Sequence, residues 1–324
     1  MSKVIYYILS KSFYLLLIFY IMLTLNFLLP RMMPGDPTSR YVAEGMSLEE
    51  REELIKIFGL DESLYTQYIR YIINVFKGDM GISFLYYPSR VWNVIIERLP
   101  WTVLLLGTSI GLSMIVGVIL GSYSAWNYGK KFDSIVTMGS LVLRTVPSFW
   151  LGMIFLLVFG YYLRLFPLSG SITVGVRMGV FERILDIIKH LMLPVFTLMA
   201  YLIAGNIYLV RASLLDVLPE QYIVTAKAKG LKNRTILYKH GLRSGIIPVI
   251  TWFTLQFGYI VSGAVLIETV FSFPGTGKLI YDAALARDYP LLQGAFLILT
   301  ATVLIAMFIL DLIYAILDPR IKKD

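Results

Sequence analysis

Six stretches of the chain, at 9–29, 101–126, 134–163, 192–210, 246–267 and 291–317, are each apolar enough and long enough to cross a bilayer as a helix. Crossing about 30 Å of hydrocarbon takes roughly 20 consecutive apolar residues at the helical rise. No water reaches that layer, so a span must satisfy its own backbone polar groups, which a helix does. Composition argues the same way, because 57% of the 324 residues are hydrophobic and only 15% are charged, against about 25% charged in soluble domains. The expected fold class is an all-α polytopic membrane protein with six transmembrane helices. Lys3 and Lys11 stand at the start of the first stretch, as in a secretory signal. Its apolar run exceeds the usual length of about 7–15 residues and no small-x-small cleavage site follows, so it reads as an uncleaved first helix.

Lys and Arg mark the cytoplasmic side of a polytopic chain. With the N-terminus inside, Lys130 and Lys131, the segment 211–243 and the ending Arg320, Lys322 and Lys323 all fall in the cytoplasm. Segment 211–243 carries seven basic residues against Asp216 and Glu220, whereas loop 30–100 carries eight basic and ten acidic residues. That loop is therefore external, and six spans return the C-terminus to the cytoplasm. The net charge is 29 − 21 = +8, but its basic residues lie between apolar runs rather than on one soluble face. Membrane lipid, not nucleic acid, is the expected environment.

Four regions follow: an N-terminal segment with the first helix (1–30), an extracytoplasmic helical loop (31–98), a core of five helices (99–317) with a cytoplasmic hairpin at 212–244, and a tail (318–324). Within the loop, Ser47-Leu48-Glu49-Glu50 has the form of a capping box and Gly59 can end the helix it starts. Asp61 is placed to cap a second helix, in which Leu64, Tyr68, Ile72 and Phe76 recur at helical spacing. The loop reads equally as a small cap on the membrane domain or as a docking surface for an outside partner.

Catalytic sets are missing. Without cysteine there is no thiolate nucleophile, disulfide or Cys-ligated metal, and His190 and His240 are too far apart for an HExxH-type site. Gly275-Thr276-Gly277-Lys278 has part of a phosphate loop, but GxxxxGK[ST] would need Gly at Ser272 and Ser or Thr at Leu279. An external turn re-entering the last helix is the better reading of Phe273–Gly277. No GxSxG occurs, and His190 reads as an interfacial histidine.

The segment between spans four and five, PEQYIVTAKAKGLKNRTILYKHGLRSGIIPVIT, is different in kind. Pro219 suits a first helical turn, Glu220 complements the helix dipole, Gly230 fits a C-terminal stop, and Asn233 can cap a second helix. A two-helix hairpin this short has no core of its own and must pack on something. Composition alone would leave it a solvated, positive-inside loop.

This segment resembles the coupling loop of the permease subunits of ATP-binding-cassette importers, in the dipeptide/oligopeptide/nickel subfamily and of its first-permease type. The subfamily pattern YxxTAxAKGLxxxxxxxxHxLRNxxxPV is matched by Tyr222, Thr225, Ala226, Ala228, Lys229, Gly230, Leu231, His240, Leu242 and Arg243, with Ser244 where Asn is usual. Further matches run in order along nearly the whole chain. They are Pro34-Gly35-Asp36-Pro37, Gly78-Asp79-Met80-Gly81 with Ser83, Glu97-Arg98-Leu99-Pro100, Val146-Pro147-Ser148-Phe149, Phe273-Pro274-Gly275, Arg287-Asp288-Tyr289-Pro290, Gln293-Gly294 and Leu317-Asp318-Pro319-Arg320.

The resemblance implies the type I importer transmembrane fold and a multi-pass subunit in a bacterial or archaeal plasma membrane. Its implied partners are a second homologous permease, two ATP-binding subunits and an extracytoplasmic substrate-binding protein. The chain itself binds no cofactor, and ATP and Mg belong to the partner subunits. The coupling residues it implies are Glu220, Tyr222, Thr225, Ala226, Ala228, Lys229, Gly230, Leu231, His240 and Arg243, with Ala226 small enough for an ATPase surface to approach. Short peptides are the implied cargo; nickel chelates and oligosaccharides use similar permeases. A polytopic membrane enzyme is disfavoured by the missing catalytic spacing.

Ionisable and amide side chains inside spans are costly and mark either a transport path or interhelical contacts. Arg144 in span three reads as a path-lining cation for a substrate carboxylate, or as a structural cation paired or snorkelling. Asn206, Gln256 and Glu268, and with them Asn26, are weaker candidates of the same kind, and Asp311 suits a basic partner. Gly107, Gly111, Gly117 and Gly121 in span two suit close helix approach, within the chain or between permeases.

Overall fold

The computed structural model describes residues 3–32, 47, 49, 52–53, 55–56, 59–258 and 264–317. In chain order the described helices are α1 (Lys3–Arg31), α2 (Leu64–Lys77), α3 (Val91–Trp126), α4 (Lys131–Thr145) and α5 (Ser148–Phe155), which a π-helical turn, Leu156–Tyr162, prolongs. Then come α6 (Val180–Val217), α7 (Gln221–Ala228), the short α8 (Asn233–Thr235) with a π-helical turn Ile236–Gly241, and α9 (Leu242–Gly258). The last are α10 (Val265–Val270), α11 (Thr276–Leu285) and α12 (Tyr289–Leu317). Among the described residues there is no strand, only an isolated antiparallel bridge between Ile82 and Arg90.

Among the described residues, three helices are long and apolar enough to cross a membrane: residues Ser12–Arg31 of α1, α3 and α6. The expected third span, 134–163, is a bent pair, α4 and α5 with its π turn, whose axes differ by 97°. Pro147 explains the break. It has no N–H to donate, and it drives Val146 into an extended conformation at φ −79°, ψ 125°. Counted as one span, the pair makes a fourth. The stretches expected as spans five and six correspond to α9, of 17 residues, and α12, of 29 residues.

The chain divides into two units, one of Met1–Pro100 with Gly275–Asp324 and one of Trp101–Pro274. In the first, α1 presents Phe13, Leu16, Leu17 and Tyr20 outward while Leu23 and Phe27 are buried. An apolar outer face suits lipid as its surroundings. α2 lies against α1, with the Tyr68 and Tyr71 rings 5.1 and 5.7 Å from that of Phe27. The cap expected at Asp61 is at Ser63, whose extended backbone brings Oγ within 3.2 Å of the Thr66 N–H. Gly59, expected to end the helix begun at Ser47, has φ +63°. The proposed capping box at 47–50 lies partly outside the described residues, and Pro34–Pro37 and Asp318–Arg320 lie wholly outside them.

The Gly275–Gly277 stretch is not a bare turn. Gly275 is the extended N-cap of α11, and Thr276, Gly277 and Leu279 are buried. Asn26 donates to the backbone oxygen of Gln293 at 2.7 Å and so ties α1 to α12. At Gly294 a β-carbon would sit 2.4 Å from Val91 Cγ1, so only glycine lets these helices approach. Val91, Ile95, Leu279, Ala283, Leu291 and Leu292 form the buried core of this unit.

In the second unit, α3 and α6 meet at Gly117 and Gly121. An added β-carbon would lie 2.6 Å from Asn206 Cβ at the first and 2.9 Å from the Ile207 carbonyl oxygen at the second. Gly107 and Gly111 have nothing within 4 Å. Close approach within the chain thus accounts for half of the glycine pattern. Leu105, Leu106, Leu191, Leu193, Leu198, Ile267, Phe271 and Phe273 make the main core, with Trp101 edge-on to Phe273 at 6.0 Å.

Candidate functional site

The segment expected to be a hairpin is one. Glu220 is the extended N-cap of α7, and Pro219 precedes it rather than entering the helix. At the other end, Gly230 N–H donates to Lys227 O at 2.9 Å and Leu231 N–H to Ala226 O at 3.4 Å. This is the double bond of a Schellman ending. Gly230 sits in it at φ +72°, the left-handed conformation expected of it. Asn233 is not a cap but the first residue of α8, after an extended Lys232.

The hairpin is packed, not solvated. Ile223, Ala226 and Ile236 form a buried cluster against Trp126, Val217 and Leu218, at the ends of α3 and α6. Lys227 Nζ lies 5.3 Å above the Trp126 ring. Ala226 therefore faces into the hairpin, 6% exposed, so its small size serves packing within the chain rather than approach of another surface. The outward residues are Tyr222, Val224 and Leu231, exposed by 43%, 56% and 39%. Thr225, Ala228, Lys229 and Arg243 are also exposed, and His240 is half-buried.

An ion pair that the sequence does not announce lies at the base of the hairpin. Arg211 of α6 grips Asp133 of α4 with both ends of its guanidinium, Nε to Oδ1 at 2.7 Å and Nη2 to Oδ2 at 2.9 Å. The Gly129 N–H adds a bond at 3.0 Å, and Ser124 Oγ donates as well. Asp133 is 4% exposed, and the fork fixes the α3–α4 turn to α6. The local signal is one acid, Asp133, two residues beyond Lys131, and Arg211 alone reads as an orientation charge.

Of the four candidate path residues, the structure brings two together. Arg144 and Gln256 line one cavity of ≈ 490 Å³, along with Tyr201 and Trp252. Asn206 is 1% exposed and is an interhelical hub, donating to Ser113 Oγ at 3.1 Å while its Oδ1 accepts from Trp252 Nε1 and Gln256 Nε2, each at 3.0 Å. Glu268 is fully buried and accepts from Thr102 Oγ1 at 3.0 Å. Neither lines this cavity, and both make the interhelical hydrogen bonds that the sequence reading allowed as the alternative. His190 is buried, its Nδ1 2.8 Å from the Asp186 carbonyl oxygen. Asp311 has no described side chain.

Bilayer-length apolar helices and a packed basic hairpin make this a helical chain with the features of a polytopic membrane protein. The family model of the binding-protein-dependent transport system inner membrane component matches residues 117–323, and the model of its N-terminal part matches residues 4–106. The chain belongs to this family. It is 37% identical to the oligopeptide transport system permease protein AppB of Bacillus subtilis strain 168, over 92% of this chain and 93% of that one. It is 33% identical to the dipeptide transport system permease protein DppB of Escherichia coli K12, over 92% and 93%. To the di/tripeptide transport system permease protein DppB of Pseudomonas aeruginosa UCBPP-PA14 it is 34% identical, over 93% and 94%.

Proposed function

We propose that this chain is one of two permease subunits of an ATP-binding-cassette importer that carries short peptides into the cell. Six spans cross the plasma membrane with both termini in the cytoplasm, and a second, homologous permease completes the path. An extracytoplasmic binding protein delivers the cargo, and two ATP-binding subunits, carrying ATP and Mg, dock beneath. The relatives named above serve oligopeptide, dipeptide and di/tripeptide systems, which supports peptides over nickel chelates or oligosaccharides.

The observation that carries the mechanism is the two-sided hairpin at 212–244. Its inner face is buried on α3 and α6, and its exposed residues include Tyr222, Val224 and Leu231 together with Lys229, Lys232 and Arg234. A partner seated on the outer face moves the helices through the inner one. Closure of the ATP-binding subunits is thereby converted into a rigid-body tilt of the spans. Glu220, Thr225, Ala228, His240 and Arg243 belong to the same coupling element.

Uptake into proteoliposomes holding the full complex tests the reading. Peptide accumulation that requires ATP and the binding protein is the expected result. Accumulation of a nickel chelate or an oligosaccharide with no response to peptides would overturn the cargo assignment.

A further inference from the structure

Three of the motifs that carry the family resemblance meet at one cavity of ≈ 320 Å³ in the first unit. Asp79, Met80 and Gly81 reach it from the turn after α2, and Pro290, Gln293 and Gly294 from the start of α12. Its volume lies in the range of about 300–1,000 Å³ usual for small-ligand sites. Coupling through the hairpin makes no use of it.

Arg31, on its wall, sets its depth. This residue ends the 20-residue apolar segment Ser12–Arg31, and at about 1.5 Å per residue such a segment just crosses the roughly 30 Å of hydrocarbon. Its guanidinium therefore stands where phospholipid headgroups begin. Neighbours hold it there: Nε and Nη2 donate to Gln67 Oε1 at 3.1 and 3.0 Å, Nη1 donates to the Phe27 carbonyl oxygen at 3.1 Å, and Cζ lies 3.7 Å from the centre of the Phe27 ring. These partners are all neutral, and Arg31 makes no ion pair among the described residues. A guanidinium has five N–H groups, so one on each Nη remains to be used.

Two more unpaired charges line the same cavity. Asp79 accepts only from the Gly81 N–H, at 3.0 Å, and the Arg90 side chain has no partner among the described residues. A fourth charge, Arg70, is already paired with Glu62. Asp79 and Arg90 are exposed and singly would be ordinary solvated groups. Around one recess with Arg31, they set fixed charges of both signs at headgroup depth.

We propose that this cavity seats the phosphoethanolamine headgroup of a membrane phospholipid, its phosphate received by Arg31 and Arg90 and its ammonium by Asp79. Two free N–H groups side by side are what a bidentate Arg–phosphate pair requires. Val75 and Leu297 give the cavity apolar wall for the glycerol end. The site goes beyond the import reading, because it binds a component of the membrane rather than cargo or a subunit.

The test uses the full complex, delipidated in detergent, with dihexanoyl phosphatidylethanolamine, phosphatidylglycerol of the same chains, or soluble phosphoethanolamine. The tightest binding step is followed by native mass spectrometry. The unmodified complex is expected to bind the ethanolamine lipid about threefold more tightly than the glycerol lipid, the scale of one exposed ion pair. Asp79→Asn, whose amide oxygen can still accept from Gly81, should bring the ethanolamine lipid down to the level of the glycerol lipid and leave the latter unchanged. Arg31→Gln should weaken both lipids about tenfold, the scale of hydrogen bonds to a charged group, and Arg90→Gln should weaken both by less. If Arg31→Gln fails to assemble, the variants at the exposed Asp79 and Arg90 decide. Unchanged affinities in those two would overturn the site. Binding of soluble phosphoethanolamine as tight as that of the lipid would overturn the membrane source.

Discussion

The hydroxyl of Ser83 donates to Oδ2 of Asp288, joining two fully buried residues 205 positions apart. The same carboxylate accepts from the N–H of Leu85 at 2.8 Å and of Leu291 at 3.0 Å, and Ser83 Oγ in turn accepts from the N–H of Tyr86 at 3.1 Å. One acid thus orders both the turn at 83–86 and the start of α12. Gly78-Asp79-Met80-Gly81 with Ser83 and Arg287-Asp288-Tyr289-Pro290 are two of the motifs that carried the family resemblance. Their contact gives these motifs a structural reason to exist.

Removing the hydroxyl leaves a buried carboxylate short of one donor. Ser83→Ala is expected to cost about 1–3 kcal/mol, read as a lowered thermal unfolding midpoint of the detergent-purified chain. Burial pushes the Asp288 carboxyl above its ordinary value, which is about 3.9 in an unfolded chain. A group raised on folding stabilises fully below its unfolded value and loses that contribution as pH rises through its folded one. The stability of the unmodified chain should therefore fall across this window, and Asp288→Asn should remove that part of the pH dependence. An identical pH profile in both would contradict the assignment.

The fork between Arg211 and Asp133 yields a second expectation. Their side chains are 18% and 5% exposed, so Arg211→Met strands a buried carboxylate, at a cost of about 3–5 kcal/mol. Asp133→Leu added to Arg211→Met should restore much of the loss, because removing both charges removes the uncompensated one. Unfolding midpoints of the two single variants and the double variant decide it, and strictly additive losses would refute the pair.

Local features were legible in the sequence where one residue type carries the constraint. Gly230 at a helix end needs a left-handed backbone, and it has one at φ +72°. The apolar periodicity of Leu64, Tyr68, Ile72 and Phe76 likewise found α2. Long-range pairing was not legible. Asp133 and Arg211 are 78 positions apart, and nothing local to either distinguishes a buried partner from an orientation charge. The span count of apolar windows also hid the 97° bend, although Pro147 stood in the third window to announce it. For the polar residues of the spans, residue type could not separate Asn206, buried as a hub, from Arg144, which faces a cavity.

Topology can be mapped without background because the chain has no cysteine. Tyr65 in α2 is 76% exposed, and Asn233 in the hairpin is exposed. In intact cells a membrane-impermeant maleimide should label Tyr65→Cys and spare Asn233→Cys. Labelling of Asn233→Cys alone would reverse the orientation and place the hairpin outside, where no ATP-binding subunit could reach it.

Coupling through the hairpin is the centre of the account, and Gly230 isolates it. Among the described residues no atom beyond its chain neighbours lies within 4 Å of where its β-carbon would be, so a substitution there meets the backbone constraint of φ +72°. Asn tolerates that conformation and a β-branched residue does not. The decisive measurement is substrate-stimulated ATP hydrolysis by the reconstituted complex carrying Gly230→Asn or Gly230→Val. The account predicts near-normal stimulation with Asn and loss of stimulation with Val, each variant remaining inserted in the membrane. Full stimulation by the Val variant with the ATP-binding subunits still bound would contradict it.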